Sequence, residues 1–322
     1  MVKDYIKSNL RFINIKIDSF EVTLCNLGAS IFSIKLDGKY MTKTPVSEND
    51  FIGPKMYDGK TIGRVANRIQ GNVINIDGKN YILDANENGN TLHGGINGLS
   101  TKIFDCEIEE NDNSVKVIYS YISKDGESGF PGNLSIKVIY TIKNNSLGIN
   151  FVATTDKTTC CSLTNHTYFT VGERSLKDTK LYINASRYLH CDAKELLPIE
   201  IREVPSYLDF RHPRNIMDDI SNPIFINSKA KGYDHHFYFD DEDVIKEKAE
   251  LIGKEYKMKV FTNFKGMQIY SSNELINIPS RDVDNVLHNS IAIEPQDGFL
   301  VLNILKPNEE YSRFIKYVFE KI

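Results

Sequence analysis

Hydrophobic and polar residues alternate along several stretches of this chain. Residues 13–24 alternate isoleucine, phenylalanine, valine and leucine with polar neighbours, apart from one break near Ser19. The same two-residue period returns in Val115–Ile122, Leu134–Ile142 and Tyr256–Val260. A period of two is typical of β-strands with one buried face. The pattern therefore predicts a chain built mainly of strands.

Turn residues of hairpin type separate these stretches. Asp77 and Gly78 lie between Val73–Ile76 and Tyr81–Leu83, where glycine permits the positive φ of a tight turn. Gly253-Lys254 is a second candidate turn. The segment 241–255 is rich in Glu and Lys, which favour helix, but Gly253 and the strand-like residues after it argue against a helix.

No linker, fixed-period repeat or low-complexity tract divides the 322 residues. We therefore predict one domain over residues 1–322, all-β and mostly antiparallel, arranged as a large β-sandwich. A chain of this length buries enough surface to need neither disulfides nor metals for its core.

Charge and composition exclude several classes of partner. Lys and Arg total 39 against 43 Asp and Glu, a net charge of -4 that argues against nucleic-acid binding. The first seven residues carry charges where a secretory signal needs apolar residues, and no apolar run is long enough to span a membrane. We expect no membrane association and a cytoplasmic location. No segment predicts an oligomeric interface.

The five cysteines are odd in number and include no C-x-x-C pair, which predicts reduced, buried thiols. The chain has no phosphate-binding G-x-x-x-x-G-K-[ST], no dinucleotide-binding G-x-G-x-x-G and no H-E-x-x-H zinc motif. Gly126-Glu-Ser-Gly129 is one residue short of the G-x-S-x-G elbow of serine hydrolases. The sequence thus gives no support to any of these enzyme classes.

Two histidines lie in segments whose composition suggests a site. His93 precedes two glycines in Asn90–Gly95, where backbone and ligand can approach closely. His166 has the aromatic residues Tyr168 and Phe169 beside it. Each also has an ordinary structural interpretation, because loop histidines are commonly solvated and histidines among aromatics are commonly core residues.

Two acidic positions complete the candidates. Asp234 and His236 would share one face of a strand and could bind a polyol or a metal, but no third ligand at a recognisable spacing supports a metal. Glu294 ends the apolar run Ser290–Ile293. A carboxylate there is costly unless it is bonded, so Glu294 is a candidate base or, alternatively, the partner of an arginine.

Taken together, these segments resemble the aldose 1-epimerase (galactose mutarotase) family, in order from about residue 25 to the C-terminus. Gly63–Ile69 is similar to the family's G-R-x-x-N-R-I, Asn90–Gly95 to its N-x-L-H-G-G, and Thr164–Phe169 to its T-N-H-x-Y-F. Four further segments agree: Asp125–Gly132, Leu208–Arg211, Tyr233–Phe237 and Ile293–Gln296, the last similar to the block that carries the family's catalytic glutamate.

The resemblance implies a galactose mutarotase-type β-sandwich that interconverts the α and β anomers of free aldohexoses, such as galactose and glucose, without a cofactor or metal. By position, Glu294 would be the general base, His166 the general acid and His93 a second imidazole that polarises the ring oxygen. The hydroxyl-binding residues it implies are Asn67, Arg68, Asp234 and Gln268, with Tyr168 and Gln296 as secondary candidates. The chain departs from the family pattern at Thr170 and in residues 297–303, which puts sugar preference in doubt.

The residue types suit this chemistry. Opening a cyclic hemiacetal removes a proton from the anomeric hydroxyl and delivers one to the ring oxygen, so it needs a base and an acid together. An unperturbed glutamic acid titrates at about 4.3 and histidine at about 6.5. We therefore expect Glu294 to be a carboxylate at neutral pH and His166 to need acidic neighbours to stay protonated. With no Trp, stacking on the sugar falls to one of the Phe or Tyr residues.

Three alternatives stay open. A glycoside hydrolase usually needs two carboxylates, and here the second strong candidate is a histidine. A non-catalytic sugar-binding or sensing domain would use Arg68, Asp234 and Gln268 without turnover. A mutarotase for hexose 6-phosphates would need a basic cluster at the rim of the site, for which Arg64, Arg211 and Arg214 are the candidates.

Overall fold

A computed structural model describes residues 1–52, 57–274 and 279–322, and strands dominate it. The first fourteen are β1 (Val2–Lys7), β2 (Leu10–Ile17), β3 (Phe20–Cys25), β4 (Ser30–Leu36), β5 (Lys39–Tyr40), β6 (Thr61–Ile62), β7 (Arg68–Ile69), β8 (Val73–Ile76), β9 (Lys79–Ile82), β10 (Thr91–Leu92), β11 (Asp105–Asn111), β12 (Ser114–Ser123), β13 (Leu134–Lys143) and β14 (Ser146–Thr155).

The second half of the chain contributes as many strands. They are β15 (Thr159–Cys160), β16 (Thr164–Asn165), β17 (Tyr168–Phe169), β18 (Lys180–Ile183), β19 (Arg187–Cys191), β20 (Pro198–Glu203), β21 (Arg214–Asn215), β22 (Asp234–Tyr238), β23 (Ala249–Ile252), β24 (Tyr256–Thr262), β25 (Gly266–Tyr270), β26 (Ile291–Gln296), β27 (Ile304–Leu305) and β28 (Tyr311–Lys321).

Helical structure in the described residues is limited to single turns. The α-helical turn α1 spans Pro223–Ile226, capped by Asn222, whose side chain accepts from the amide of Ile224. The 3-10 turns are Glu48–Phe51, Gln70–Asn72, Leu99–Thr101, Glu127–Gly129, Leu176–Asp178 and Ser206–Leu208.

Three large sheets form most of the described structure, beside the two-stranded pairings β7–β10, β8–β9, β6–β16 and β15–β27. One has five strands in the order β1-β2-β3-β4-β5, and one has nine in the order β11-β12-β13-β14-β28-β24-β23-β18-β21. The third has six, in the order β17-β26-β25-β22-β19-β20. Neighbouring strands within each sheet run antiparallel, and the three sheets pack around a shared apolar cluster. The predicted all-β, mostly antiparallel sandwich is thus confirmed.

Local sequence accounts for the regular parts. Strand β13 buries alternate residues, with Ile136 and Val138 facing the core and Lys137 facing solvent. The predicted hairpin between β8 and β9 turns at Asp77 and Gly78, which have φ of 52° and 78°. The segment 241–255 forms no helix, and its last part enters strand β23 and the turn before β24.

The five cysteines all fall in the described part of the chain and carry free thiols. Cys25, Cys160 and Cys161 are buried as predicted. Cys106 and Cys191 are only half-buried, so the prediction of buried thiols was wrong for these two. They lie on β11 and β19, strands at or near the edges of their sheets, where neighbours cover one side less completely.

None of the helical turns in residues 1–52, 57–274 and 279–322 has the length and hydrophobicity required to cross a bilayer.

Candidate functional site

A cavity of about 630 Å³ opens at the six-stranded sheet. Its volume is within the range of small-molecule sites. The cavity collects side chains that are distant in sequence, from residue 57 to residue 294. All seven predicted site residues line it: Asn67, Arg68, His93, His166, Asp234, Gln268 and Glu294.

Strand register sets the floor of this cavity. Strands β22, β25 and β26 are adjacent, and Glu294 pairs with Gln268 across the β25–β26 ladder. Asp234 pairs with Tyr270 across the β22–β25 ladder. Because alternate residues of a strand face the same side, all four side chains project from one face of the sheet.

His166 reaches Glu294 from a separate segment. It lies between β16 and β17, and its backbone is fixed twice: its N–H donates to the Lys60 carbonyl, and its own carbonyl accepts from the Gly59 N–H. The Nε2 atom of His166 lies 3.4 Å from Oε1 of Glu294. Both side chains are buried, so imidazole and carboxyl group form a close pair at the end of the cavity.

Burial shifts the proton affinities of both members of this pair. It raises the pKa of Glu294 well above its usual value, an effect reinforced by Asp234 and opposed by Arg68. It lowers the pKa of His166 to about 4, although the Asp58 carboxylate acts in the opposite direction. We expected a carboxylate and a histidine raised by acidic neighbours. Instead, desolvation outweighs those neighbours and favours a carboxylic acid beside a neutral imidazole.

His93 is held by a strained loop. Its φ is 52°, and the next residue, Gly94, has φ of 85° and packs so closely that an added Cβ would lie 1.8 Å from the Gly63 carbonyl oxygen. The His93 Nδ1 accepts from the backbone N–H of Asn67, so the neutral ring carries its proton on Nε2. Its ring meets that of His166 edge to face at 5.4 Å.

A hydrogen-bonded row forms the polar wall. Gln268 Nε2 donates to Oδ1 of Asp234 at 2.5 Å, and Arg68 approaches Oδ2 of the same carboxyl group at 3.7 Å. Arg68 also donates to both carboxylate oxygens of Glu87, from Nε at 2.7 Å and from Nη2 at 3.2 Å. Burial raises the pKa of Asp234, and the Arg68 charge opposes that rise. Donors and acceptors are thus pre-arranged along one side of the cavity.

Aromatic and rim residues complete the lining, and sequence reasoning missed most of them. Tyr168, a secondary candidate, packs its ring 5.0 Å from that of His166. Tyr57, Tyr270, Glu87 and Lys229 also line the cavity without being predicted. Only Tyr270 left a usable signal, since it lies two residues after Gln268 on the same strand face.

Several other candidates lie outside the cavity. Gln296 is fully buried behind it, and His236, although on the same strand face as Asp234, is buried away from the lining. Arg64 donates to the carbonyls of residues 123, 124, 131 and 132, while Arg211 pairs with Asp209 and Arg214 with Asp219. None of the three arginines supplies the basic rim that a phosphorylated hexose would need.

No trio of His, Cys, Asp or Glu side chains in the described ranges is grouped as a metal site would be.

Known proteins resemble this chain along nearly its whole length. The family model described as aldose 1-epimerase matches residues 11–318. Galactose mutarotase of Sus scrofa is 28% identical, covering 94% of this chain and 92% of that protein. Aldose 1-epimerase of Escherichia coli K12 is 30% identical, covering 92% and 91%. The crystal structure of galactose 1-epimerase from Lactobacillus acidophilus NCFM superposes with a TM-score of 0.89 at 27% identity, covering 100% of this chain and 98% of that one.

Proposed function

This chain belongs to the aldose 1-epimerase family, and is accordingly an isomerase, and we propose that it interconverts the α and β anomers of free aldohexoses, glucose and galactose. The observation that carries the proposal is the 3.4 Å contact between His166 Nε2 and Glu294 Oε1 inside a sugar-sized cavity. We also propose that residues 1–322 form one domain, because a single apolar cluster includes residues from β2 to β28.

In the reactive form the pair is a Glu294 carboxylate beside a His166 imidazolium. Glu294 takes the proton from the anomeric hydroxyl, His166 gives one to the ring oxygen, and the bond between C1 and the ring oxygen breaks to leave an aldehyde. That step ends with a carboxylic acid and a neutral imidazole, the form that burial of the pair favours. Desolvation therefore favours the proton distribution that follows ring opening over the reactive ion pair, and it opposes the return of the protons during ring closure. After rotation about C1–C2, the same protons return and close the ring on the other face.

Other lining residues hold the sugar during this exchange. Asp234 can accept from two adjacent hydroxyls, while Arg68, Asn67 and the amide of Gln268 add donors and acceptors. The Nε2–H of His93 is free to donate to the ring oxygen, since its Nδ1 is already engaged. The tyrosine rings in the lining, Tyr57, Tyr168 and Tyr270, offer apolar surface for the carbon-bound hydrogens of a hexose beside these polar groups.

Charge at the cavity favours free sugars over sugar phosphates. Four carboxyl groups line it, while its two cations, Arg68 and Lys229, are both already bonded to Glu87. A phosphate dianion would find both cations of the lining already engaged with Glu87. The hexose-6-phosphate alternative is therefore the weaker one.

Polarimetry of freshly dissolved α-glucose and α-galactose tests the proposal. We expect the wild type to speed the decay of rotation and Glu294→Gln to lose roughly 10²- to 10⁴-fold in kcat, the usual contribution of one proton-transfer group. Glu107→Gln, at an exposed position of edge strand β11, is the matched control and should keep wild-type kinetics.

Three results would contradict the proposal. Retained turnover in Glu294→Gln would remove the glutamate from the mechanism. Sugar binding without any acceleration by the wild type would favour a sensing domain. A kcat/KM for α-glucose 6-phosphate above that for α-glucose would favour the phosphohexose activity.

A further inference from the structure

A second buried polar group lies beside the catalytic pair, on the same face of the six-stranded sheet. Strand register places His236 opposite Gln268, and Gln268 opposite Glu294. Gln296, two residues after Glu294, projects from the same face. Neither His236 nor Gln296 lines the cavity. We call these two residues the inner cluster.

Packing brings the two members of the inner cluster together. Gly266 pairs with Gln296 across the ladder, and a Cβ on Gly266 would lie 2.6 Å from Nε2 of His236. The imidazole of His236 therefore occupies the space above Gly266, the residue that pairs with Gln296 on the neighbouring strand. The ring of Phe299 covers it from the loop after β26, at a centroid distance of 6.1 Å.

The inner cluster is rich in unpaired hydrogen-bonding atoms. Both ring nitrogens of His236 and both amide atoms of Gln296 lack a partner among the described residues, as does Oε2 of Glu294. These three residues are at most 1% exposed. Buried polar atoms nearly always have a partner, either protein or ordered water, and a buried water typically makes about three hydrogen bonds. Such a concentration of donors and acceptors fits water held beneath the glutamate.

We propose that His236 and Gln296 are positioning residues that, through ordered water, hold Oε2, the carboxyl oxygen of Glu294 that does not face His166. The inference rests on the proposed role of Glu294. The Oε1 atom faces His166, so a hold on Oε2 would fix the carboxyl plane relative to the sugar. Burial lowers the pKa of His236 to about 3, so its ring is neutral and offers one donor and one acceptor.

The inner cluster also affects proton affinity. Hydrogen bonds donated to a carboxylate stabilise its charged form and lower its pKa, so they counter the burial of Glu294. The other charged or titratable groups that face or lie close to this carboxyl group are His166, Tyr168, Arg68, Asp234 and Tyr317. None of these is altered when His236 or Gln296 is replaced, so a shift in the pH profile reports on the inner cluster.

The test is the pH dependence of kcat and kcat/KM for α-galactose in His236→Phe and Gln296→Met, which keep the approximate volume and remove the hydrogen bonds. We expect kcat to fall about tenfold or more, the effect of losing a hydrogen bond to a charged group. KM should change little, and the alkaline limb of the pH profile should move to higher pH, because the pKa of Glu294 lies above that of His166 and its ionised form is less stabilised in these variants. His236→Asn restores a donor and an acceptor and should recover part of both effects.

His235→Phe is the matched control, since His235 projects from the opposite face of β22, among Tyr188, Phe225 and Tyr233. The alkaline limb of its pH profile should stay at the wild-type pH even if its stability falls. An unmoved limb in both inner-cluster variants overturns the inference, as does a crystal structure in which neither residue connects to Glu294. Glu294→Gln in the same assay separates the two proposals, because among these variants full activity contradicts the proposed function only when it is seen in Glu294→Gln.

Discussion

The inner face of the nine-stranded sheet and the floor of the cavity are both buried strand surfaces, but they bury different chemistry. On β13 the buried positions are apolar or aromatic, as at Ile136, Val138 and Tyr140, and its polar residues face outward. On β26 every residue is buried, including Glu294 and Gln296. One surface is closed by apolar packing, whereas the other keeps one carboxyl oxygen of Glu294 and the amide of Gln296 without protein partners in the described part of the chain.

The difference separates what stabilises the fold from what serves the reaction. Apolar burial on β13 favours folding through the hydrophobic effect. A polar atom buried without a partner opposes folding by roughly 1–3 kcal/mol. More than half of such side-chain atoms in the described ranges lie on His166, His236, Gln268, Glu294, Gln296 and Asp297. The cavity lining and the buried polar groups next to it therefore lower the stability of the fold, which is typical of functional sites.

The largest effect should come from the apolar region. Phe151 on β14 is fully buried, so Phe151→Ala should destabilise the protein by about 3–5 kcal/mol through lost contacts and a residual cavity. Urea unfolding measures this loss. Asn150→Ala, the exposed neighbour on the same strand, should stay within about 0.5 kcal/mol of wild type.

The folded fraction of Phe151→Ala should keep wild-type kcat and KM, because the residue belongs to the shared apolar cluster and does not line the cavity. A large change in kcat at unchanged folded fraction would show that the two regions are mechanically coupled and would weaken the comparison.

At the cavity, Asp234→Asn should act on binding. The substitution keeps the shape and one acceptor oxygen but loses the charge, and hydrogen bonds to charged groups contribute about 1.5–3 kcal/mol. We expect KM for galactose to rise roughly ten- to a hundredfold, with kcat within a few-fold of wild type. Asp105→Asn, exposed on β11, is the control. A fall in kcat at constant KM would instead place Asp234 in the proton transfer.

Much of this comparison could be predicted from sequence because its signals are local. Alternation located the strands, Asp77-Gly78 located a hairpin, and short motifs contain six of the seven predicted residues that the fold brings to one cavity. The seventh, Gln268, lies in none of these motifs and was implied by the family resemblance alone. Tyr57, Glu87 and Lys229 were missed because only tertiary packing carries them there. The proton affinities of Glu294 and His166 were misjudged for a related reason, since desolvation depends on neighbours that no local pattern reveals.

The smallest expected effect concerns the pH dependence of the free energy of unfolding. It measures most directly how much the buried Glu294 carboxyl group at the cavity floor destabilises the fold. Because the pKa of Glu294 is raised in the folded protein, its contribution to stability is fully present below the unfolded pKa of about 4.3 and is lost as the pH rises through the folded pKa. Because glutamine does not ionise, Glu294→Gln does not lose this stability as the pH rises. It should match wild type at pH 4 and be more stable than wild type at pH 8, because ionisation of the buried carboxyl group opposes folding and glutamine does not ionise. Urea unfolding at both pH values measures the difference, with Glu107→Gln, at an exposed position of β11, as the control. A Glu294→Gln variant less stable than wild type at pH 8 would mean that the ionised carboxylate is well solvated or paired, and the contrast between the two buried surfaces would then disappear.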